Sequence, residues 1–340
     1  MALTQLLKTS TMGQAIICLV LLAISAYIFY VRKLTTKPVS VNYHFTRKCN
    51  KTCKFCFHTE KTSHVATKKE MMRGLTLLKK AGMRKINFAG GEPFLYPEKL
   101  GWLCQFCKQG LGLESVSIIT NGTKLTERWL DKYGEFVDVM GVSCDSFNEE
   151  TNIAIGRGTG KNVEQLFRIR DWCRKLGIKF KLNTVVCKYN WQEDMAAIVE
   201  ELDPQRWKCF QVLFVEDEND ANTADTENDK RKRDAKGLLI SDEEYEAFCA
   251  KHRHLPSLIP EPNEIMASSY LILDEYMCFL DKGKGKEKQS SSILDVGVAK
   301  ALDEVKWDQD AFVKRGGLYD WSKEAQEGGC GSTQSKELQW

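Results

Sequence analysis

Cys49, Cys53 and Cys56 stand in a C-x3-C-x2-C pattern at the end of a strand-like run, Val39 to Phe45. Three thiolates on one short loop can hold three corners of a metal centre, whereas a closed zinc site needs four ligands. A [4Fe–4S] cluster held by three cysteines keeps one iron free for another molecule. On spacing alone the loop also suits a zinc knuckle completed by a remote ligand, or three unrelated buried thiols. A second motif, Gly90-Gly91-Glu92-Pro93, follows the next strand-like run. By itself it reads as a turn with a solvated carboxylate; downstream of a metal loop it reads as part of the same site.

These motifs need elements to position them. Strand candidates are 39–45, 84–89, 115–120, 137–143, 178–186 and 208–215, with helical stretches near 66–81, 97–110, 125–134, 161–176 and 191–202. Six strands alternating with helices predict an α/β fold, a parallel sheet of right-handed βαβ units. If the sheet curls as a barrel, functional residues gather just after each strand. The cysteine loop follows the first strand, Gly90-Gly91 the second, Asn121-Gly122 the third and Ser143-Cys144-Asp145-Ser146 the fourth. Lys181 and Asn183 fall within the fifth strand, and Arg206, Lys208 and Gln211 cluster around the sixth.

The chain has 340 residues, 43 % hydrophobic and 28 % charged, which suits one large domain of about 280 residues with appendages. A net charge of +3 is too small to suggest nucleic-acid binding. Thirteen cysteines without a pairing pattern predict a reducing compartment. Ala15 to Val31 carries no charge, and at ~1.5 Å per residue its seventeen residues reach about 26 Å, enough for a bilayer core. Residues 13–31 are therefore expected to attach the chain to a membrane, spanning or embedded. Arg32, Lys33 and Lys37 outweigh Lys8, which leaves the large domain in the cytosol. The expected organisation is an anchor over 1–37, a core barrel over 38–215 and a polar, disordered insertion over 216–236. A C-terminal extension over 237–323 contains a flexible basic loop at 282–292, and a loose tail over 324–340 ends on Trp340.

The cysteine loop, with Phe55 before its last cysteine, and Gly90-Gly91-Glu92-Pro93 together resemble the radical S-adenosylmethionine (radical SAM) superfamily. The resemblance implies a partial (βα)6 barrel, a [4Fe–4S] cluster and SAM, whose amino and carboxylate groups chelate the free iron. It also implies generation of a 5′-deoxyadenosyl radical that abstracts hydrogen from a substrate. In the family the Gly-Gly-Glu motif contacts the SAM ammonium: two glycines let the backbone approach, and Glu92 supplies a charge-assisted acceptor. Ser143 and Arg157 match the positions that hold the SAM carboxylate, and Phe55 and Asn121 belong to the same cofactor site.

Further motifs resemble the viperin family, antiviral radical SAM enzymes of animals: Asn42 to Asn50, Cys56-Phe57-His58, Lys85 to Phe88, Ser143 to Phe147, Arg206-Trp207-Lys208, Asp274 to Met277, Ser292 to Gly297 and Lys314 to Gly317. The resemblance runs from about Val39 to Lys323. It implies dehydration of CTP to 3′-deoxy-3′,4′-didehydro-CTP, a terminator of viral RNA synthesis, at the cytosolic face of the endoplasmic reticulum and on lipid droplets. An electron donor is implied, and Trp340 would recruit the cytosolic iron–sulfur assembly machinery. The chain has no G-x4-G-K-[ST] loop, so side-chain cations must hold the phosphates. Lys85, Lys181, Arg206 and Lys208 lie on successive strands near the metal edge; Arg206 can grip phosphate with two parallel donors and the lysines act as point charges. The resemblance makes Lys181, Arg206, Lys208 and Arg315 triphosphate contacts, Asn183 a contact to the base and Tyr270 a residue beside the sugar, with Asn42 and Lys85 also in the substrate site. The radical would take the ribose 4′-hydrogen, and Tyr270 or a lysine of the 282–288 loop would act as general acid as the 3′-hydroxyl leaves as water.

The chain departs from the family in four places. Ala89 stands where Ser usually precedes Gly-Gly, which leaves CTP against UTP open. The amino-terminal segment resembles a spanning helix rather than an amphipathic one, the 216–236 insertion is longer, and extra tail residues precede Trp340. Three rivals remain: a radical SAM enzyme acting on another nucleotide or a peptide, a zinc adaptor pairing Cys53/Cys56 with Cys104/Cys107, and an antiviral scaffold acting through partners.

Overall fold

The computed structural model describes residues 14–21, 37–216, 218–220, 233–281 and 289–323. It divides into two units, Met1–Pro38 and Val39–Trp340. In the first, residues 14–21 are helical and expose Ile16, Ile17, Leu19, Val20 and Leu21. No helix among the described residues is long and apolar enough to cross a membrane; the rest of the expected anchor lies outside them.

The second unit is built on one ten-stranded sheet, in the order β10-β9-β8-β1-β2-β3-β4-β5-β6-β7. Its centre is β1 (Ser40–His44), β2 (Lys85–Ala89), β3 (Ser115–Thr120), β4 (Val139–Ser143), β5 (Lys179–Val186) and β6 (Arg206–Gln211), all parallel. The carboxy-terminal region extends both edges. Strand β7 (Leu258–Glu261) joins β6 in parallel, and β8 (Ile272–Leu273) joins β1 in parallel. Strands β9 (Cys278–Leu280) and β10 (Gln289–Ser292) follow β8 antiparallel.

Because side chains alternate across a strand, each central strand presents two different faces. Val41 and Tyr43, Ile86 and Phe88, Val116 and Ile118, Met140 and Val142, Phe180 and Leu182, and Trp207 and Cys209 all join one buried apolar cluster with the helices. The other face carries Ser40 and Asn42, Lys85 and Asn87, Lys181 and Asn183, and Arg206 and Lys208. Asn87 Nδ2 donates to Ser40 Oγ at 3.4 Å, which places these neighbours on one side. The sheet thus wraps a polar lumen inside an apolar shell.

Several expectations shift. The sixth strand is Arg206–Gln211 rather than 208–215. A short helix, Glu149–Ile155, lies where none was foreseen, and the helix expected from 191 begins only at Ala196. Cys104 and Cys107 are wholly buried in the main core, so they are not placed to complete a zinc site with the cysteine loop. The ends of the polar insertion are ordered: Glu218, Asn219 and Ala235 are buried, while residues 217 and 221–232 lie outside the described residues. Of the basic loop, 289–292 form β10; 282–288 and the tail from 324 lie outside them too.

The extension also closes one end of the lumen. Ser115 Oγ donates to the Trp321 carbonyl at 3.2 Å, Lys179 pairs with Asp320 at 2.8 Å, and Lys323 N donates to Asp138 Oδ1 at 3.3 Å. Ser115 and Lys179 open their strands and Asp138 directly precedes β4, so this segment crosses the amino-terminal rim of the barrel.

Candidate functional site

At the opposite rim the chain leaves β1 and enters the cysteine loop, which neighbouring turns hold on two sides. Gly91 N donates to the Thr46 carbonyl at 2.7 Å and Glu92 N to the Lys48 carbonyl at 2.9 Å. A Cβ at Gly90 (φ +138°) would strike the Thr46 carbonyl, and one at Gly91 the Lys48 carbonyl, so both positions require glycine for close backbone approach. On the other side Thr52 N donates to the Gly156 carbonyl at 3.1 Å and Lys54 N to the Ile155 carbonyl at 3.0 Å. Gly156 ends the helix Glu149–Ile155 in the left-handed region at φ +88°.

The three thiols sit in this cradle within one another's electrostatic reach. Burial pushes Cys49 up to about 12 and Cys53 up to about 11, with Arg157 pulling Cys53 back, and burial raises Cys56 as well. Lys51 N donates to Cys49 Sγ at 3.4 Å, Asn121 Nδ2 approaches the same sulfur at 3.9 Å, and Cys56 Sγ donates to the His58 carbonyl at 3.4 Å. Among the described residues no three Cys, His, Asp or Glu side chains close around a single ion. Thiolates sharing one zinc through ~2.3 Å bonds sit about 3.8 Å apart; in a cubane each sulfur serves a different iron and stands wider. Three soft donors on a loop with N–H groups turned toward sulfur fit an iron–sulfur cluster.

Arg157 lies at the edge of this loop. Its Nε donates to Asp145 Oδ2 at 2.6 Å, and its guanidinium lies 5.6 Å from the Phe55 ring centroid. Asp145 is fully buried and also accepts from Val185 N at 2.9 Å, so the orientation of Arg157 is tied to β5. Ser143, the last residue of β4, precedes this turn by two positions. Ser143 stands two residues before Asp145, while Phe55 lies within the cysteine loop and Gly90, Gly91, Asn121 and Arg157 border it. Glu92 does so differently from the expected acceptor for an ammonium group. It is fully buried; Oε1 accepts from Phe94 N at 3.0 Å and Thr120 Oγ1 at 2.7 Å, and Oε2 from Asn121 N at 2.8 Å. Burial pushes its carboxyl upward and these donors pull it back. Its carboxylate locks the turns after β2 and β3 together.

A buried ionic network supports the loop from behind. Arg47 Nε donates to Glu275 Oε1 at 2.7 Å and its Nη1 to Glu218 Oε1 at 3.1 Å. Glu218 also accepts from Thr59 N at 2.9 Å and Thr59 Oγ1 at 2.8 Å, and Asn219 Nδ2 donates to the Phe55 carbonyl at 3.1 Å. Arg47, Asp145 and Glu275 lie within the motifs quoted from sequence but were given no role there, and Glu218 was not among them. Glu218 and Asn219 sit in an acidic run that reads as solvent-facing, and only the fold shows that its first turn is buried.

The cations gather in the lumen, but at the end away from the metal edge. Lys85 and Arg206 are the first residues of β2 and β6, and Lys181 is in register with Arg206. Lys208 Nζ contacts Glu261 Oε1 at 2.5 Å and donates to Tyr270 OH at 2.8 Å; Tyr270 OH donates to Glu261 at 3.0 Å, and Arg315 Nη1 lies 3.2 Å from the same oxygen. Burial and like-charged neighbours hold Lys85 and Lys181 well below the usual lysine range, and burial lowers Lys208 to about 8 despite Glu261. Burial raises the Tyr270 hydroxyl, and its proton faces Glu261. Asn183, two residues beyond Lys181, packs its side-chain amide beside Gly141, where a Cβ would strike Ile119 and crowd Asn183. Asn42 is held by its side-chain bond to the Leu271 carbonyl at 3.1 Å. Glu261 and Tyr319 are further members that the sequence did not flag.

Comparison with known proteins agrees with this geometry. Residues 43–202 match the model of the radical SAM superfamily. The chain is 48 % identical over 297 residues to the S-adenosylmethionine-dependent nucleotide dehydratase RSAD2 of Oncorhynchus mykiss, covering 86 % of this chain and 83 % of that one. It is 50 % identical over 290 residues to the protein of the same name from Siniperca chuatsi, covering 84 % and 80 %. It is 34 % identical to an S-adenosylmethionine-dependent nucleotide dehydratase of a Thermoplasmatales archaeon, over 83 % of this chain and 96 % of that one. Among solved structures, anSMEcpe with bound AdoMet superposes with a TM-score of 0.57 at 16 % identity over 78 % of this chain and 81 % of that one. SuiB of Streptococcus suis bound to S-adenosylmethionine gives 0.57 at 14 % identity over 82 % and 68 %; these two similarities concern the fold alone. The chain belongs to the viperin family, the S-adenosylmethionine-dependent nucleotide dehydratases of the radical SAM superfamily, whose cofactors are a [4Fe–4S] cluster and SAM.

Proposed function

We propose that the chain dehydrates CTP to 3′-deoxy-3′,4′-didehydro-CTP. The observation that carries this reading is the position of Lys85, Lys181, Arg206, Lys208 and Arg315 in the amino-terminal half of a lumen whose other rim bears the cysteine loop. From Lys85 to Ala89 strand β2 climbs four residues, about 13 Å at ~3.3 Å each. A nucleoside triphosphate held by its phosphates at the cations would extend its ribose toward the cysteine rim.

Cys49, Cys53 and Cys56 would hold the cluster, and Arg157, oriented by Asp145, would pair with the carboxylate of SAM together with Ser143. When bound, cluster and SAM supply a one-electron cleavage that yields a hydrogen-abstracting 5′-deoxyadenosyl radical. The protein's own contribution is positional. The cations fix the phosphates, Asn183 receives the base, and the buried walls exclude water. Tyr270 donates to Glu261 and accepts from Lys208; turned from Glu261 toward the departing 3′-hydroxyl, it would give up its proton and take another from Lys208. Ala89, at the rim end of β2, leaves that corner small, and UTP is the natural competitor.

The same reading places the enzyme on the cytosolic face of the endoplasmic reticulum and on lipid droplets, attached through residues 13–31, supplied by an electron donor and served by iron–sulfur assembly factors at Trp340. It rests on the apolar run of the sequence and on the family resemblance. Incubating reconstituted protein with SAM, reductant and each of the four ribonucleoside triphosphates tests the assignment. CTP alone should lose one water with 5′-deoxyadenosine formed in step; preferential turnover of another nucleotide would overturn it.

A further inference from the structure

We infer that Tyr319 is a positioning residue that ends the phosphate cradle, so that the enzyme measures a nucleoside triphosphate by its length and rejects the diphosphate. The inference rests on the nucleotide reading above and adds to it a residue outside the set of cations.

Three of the cations share one neutral partner. The Tyr319 ring centroid lies 4.9 Å from Lys85 Nζ, 4.2 Å from Lys181 Nζ and 4.4 Å from Arg206 Cζ, and Lys85 Nζ donates to the Tyr319 hydroxyl at 2.9 Å. Among the described residues no carboxylate lies within ion-pair distance of these three, whereas Lys208 and Arg315 both pair with Glu261. The negative face of an aromatic ring attracts cations without cancelling their charge. Tyr319 therefore gathers three like charges and leaves them available to a polyanion.

The ring is also held in place from below. The Trp321 carbonyl accepts from Ser115, Asp320 pairs with Lys179 and Lys323 N reaches Asp138, all at the amino-terminal rim. Trp321 is buried against Val39 and Phe312, with Leu318 and Tyr319 packed on the same cluster. Gly316 (φ +69°) and Gly317 make the turn that carries the segment across: a Cβ at Gly317 would strike the Phe312 carbonyl. A phosphate chain entering from the cysteine rim meets Lys208 and Arg315, then Lys181, Arg206 and Lys85, and stops against Tyr319. With the far end fixed, the number of phosphates sets how high the ribose stands toward the cysteine loop. A diphosphate either leaves the three lower cations unfilled or draws the ribose down from the rim.

The test uses the full chain with its cluster reconstituted, as wild type and as the Tyr319→Phe, Tyr319→Leu and Tyr319→Ala variants. Calorimetry with inorganic tripolyphosphate, CTP and CDP is combined with kcat and KM for CTP and CDP. We expect Tyr319→Ala and Tyr319→Leu to weaken tripolyphosphate binding by about tenfold, because the ring that holds three cations in place is lost. Both should also compress the preference for CTP over CDP in kcat/KM and raise the 5′-deoxyadenosine formed per nucleotide dehydrated. Tyr319→Phe keeps the ring, so it should retain the preference and lose only a few-fold in affinity. Leu fills the space without a π face, so wild-type binding and preference in Tyr319→Leu would overturn the inference even if Tyr319→Ala fails to fold. Wild-type protein that binds neither tripolyphosphate nor CTP would instead refute the nucleotide reading itself.

Discussion

Replacing Glu92 with Gln separates two accounts of the Gly-Gly-Glu motif. The change keeps shape and removes charge. In the structure the carboxylate is fully buried, with Oε1 receiving Phe94 N and Thr120 Oγ1 and Oε2 receiving Asn121 N. An amide has one acceptor oxygen, and its nitrogen must occupy a seat toward which a backbone N–H already points. With the nitrogen at the Oε2 seat the Asn121 N–H is orphaned; with it at Oε1 the Phe94 N–H is orphaned, although the Thr120 hydroxyl can turn to accept. Either arrangement leaves one buried donor unsatisfied, at ~1–3 kcal/mol, and weakens the remaining bonds, which lose their charge assistance. Relief of the buried charge, whose desolvation raises this carboxyl, offsets part of the loss. The net expectation is about 2 kcal/mol of destabilisation, a fall in Tm of about 3 °C for a unit of this size.

The assay is thermal and denaturant unfolding of the metal-free protein, paired with SAM affinity of the reconstituted protein. If Glu92 mainly ties two turns together, Glu92→Gln loses stability while SAM binding falls by no more than a few-fold. If its carboxylate instead holds the SAM ammonium, losing a charged hydrogen bond of ~1.5–3 kcal/mol weakens SAM by roughly ten- to a hundredfold with stability unchanged. That second pattern would show that Glu92 binds the SAM ammonium rather than tying the two turns together.

The remaining predictions concern the loop, its support and the lumen. Cys53→Ala should abolish cluster absorbance, iron and sulfide loading and 5′-deoxyadenosine formation together; retained SAM cleavage would remove the cysteine loop from the site. Glu218→Ala takes one carboxylate from Arg47 and the acceptor from both Thr59 donors, so it should cost about 3 kcal/mol in denaturant unfolding and impair iron loading, with wild-type stability as the contrary result. Lys208, lowered to about 8 by burial, carries its charge below that pH and loses it above. Nucleotide kcat/KM should accordingly fall as pH rises through about 8, while SAM affinity changes little; a flat nucleotide profile from pH 7 to about 9 would argue against Lys208 as a phosphate ligand.

The barrel was legible because its strands are written twice, once as apolar alternation against the helices and once as turn residues at their ends. Val41, Tyr43, Ile86, Phe88, Val116 and Ile118 mark the outer face at a period of two, and the first five strands fall within two residues of expectation. The sixth begins two residues earlier because Arg206 looks like a strand-flanking polar residue until a polar lumen exists for it to face. The same blindness placed the cations at the metal edge: a strand sequence does not say how far along the barrel axis a side chain will act, and the paired register with β1 and β5 does. The helix Glu149–Ile155 was missed because it is short and its cap, Asn148, resembles a loop residue. Glu261 and Tyr319 were silent for a different reason. Each is an ordinary residue in a region without motif, and its role depends on cations contributed by strands far away in the chain.

In the proposed reaction the cysteine rim and the cationic floor act on one nucleotide between them. Mass spectrometry of CTP incubated with the reconstituted enzyme, SAM and reductant tests it most directly. The expected product is a nucleotide lighter by one water, with one 5′-deoxyadenosine formed for each molecule dehydrated. CTP recovered intact while SAM is cleaved would contradict it.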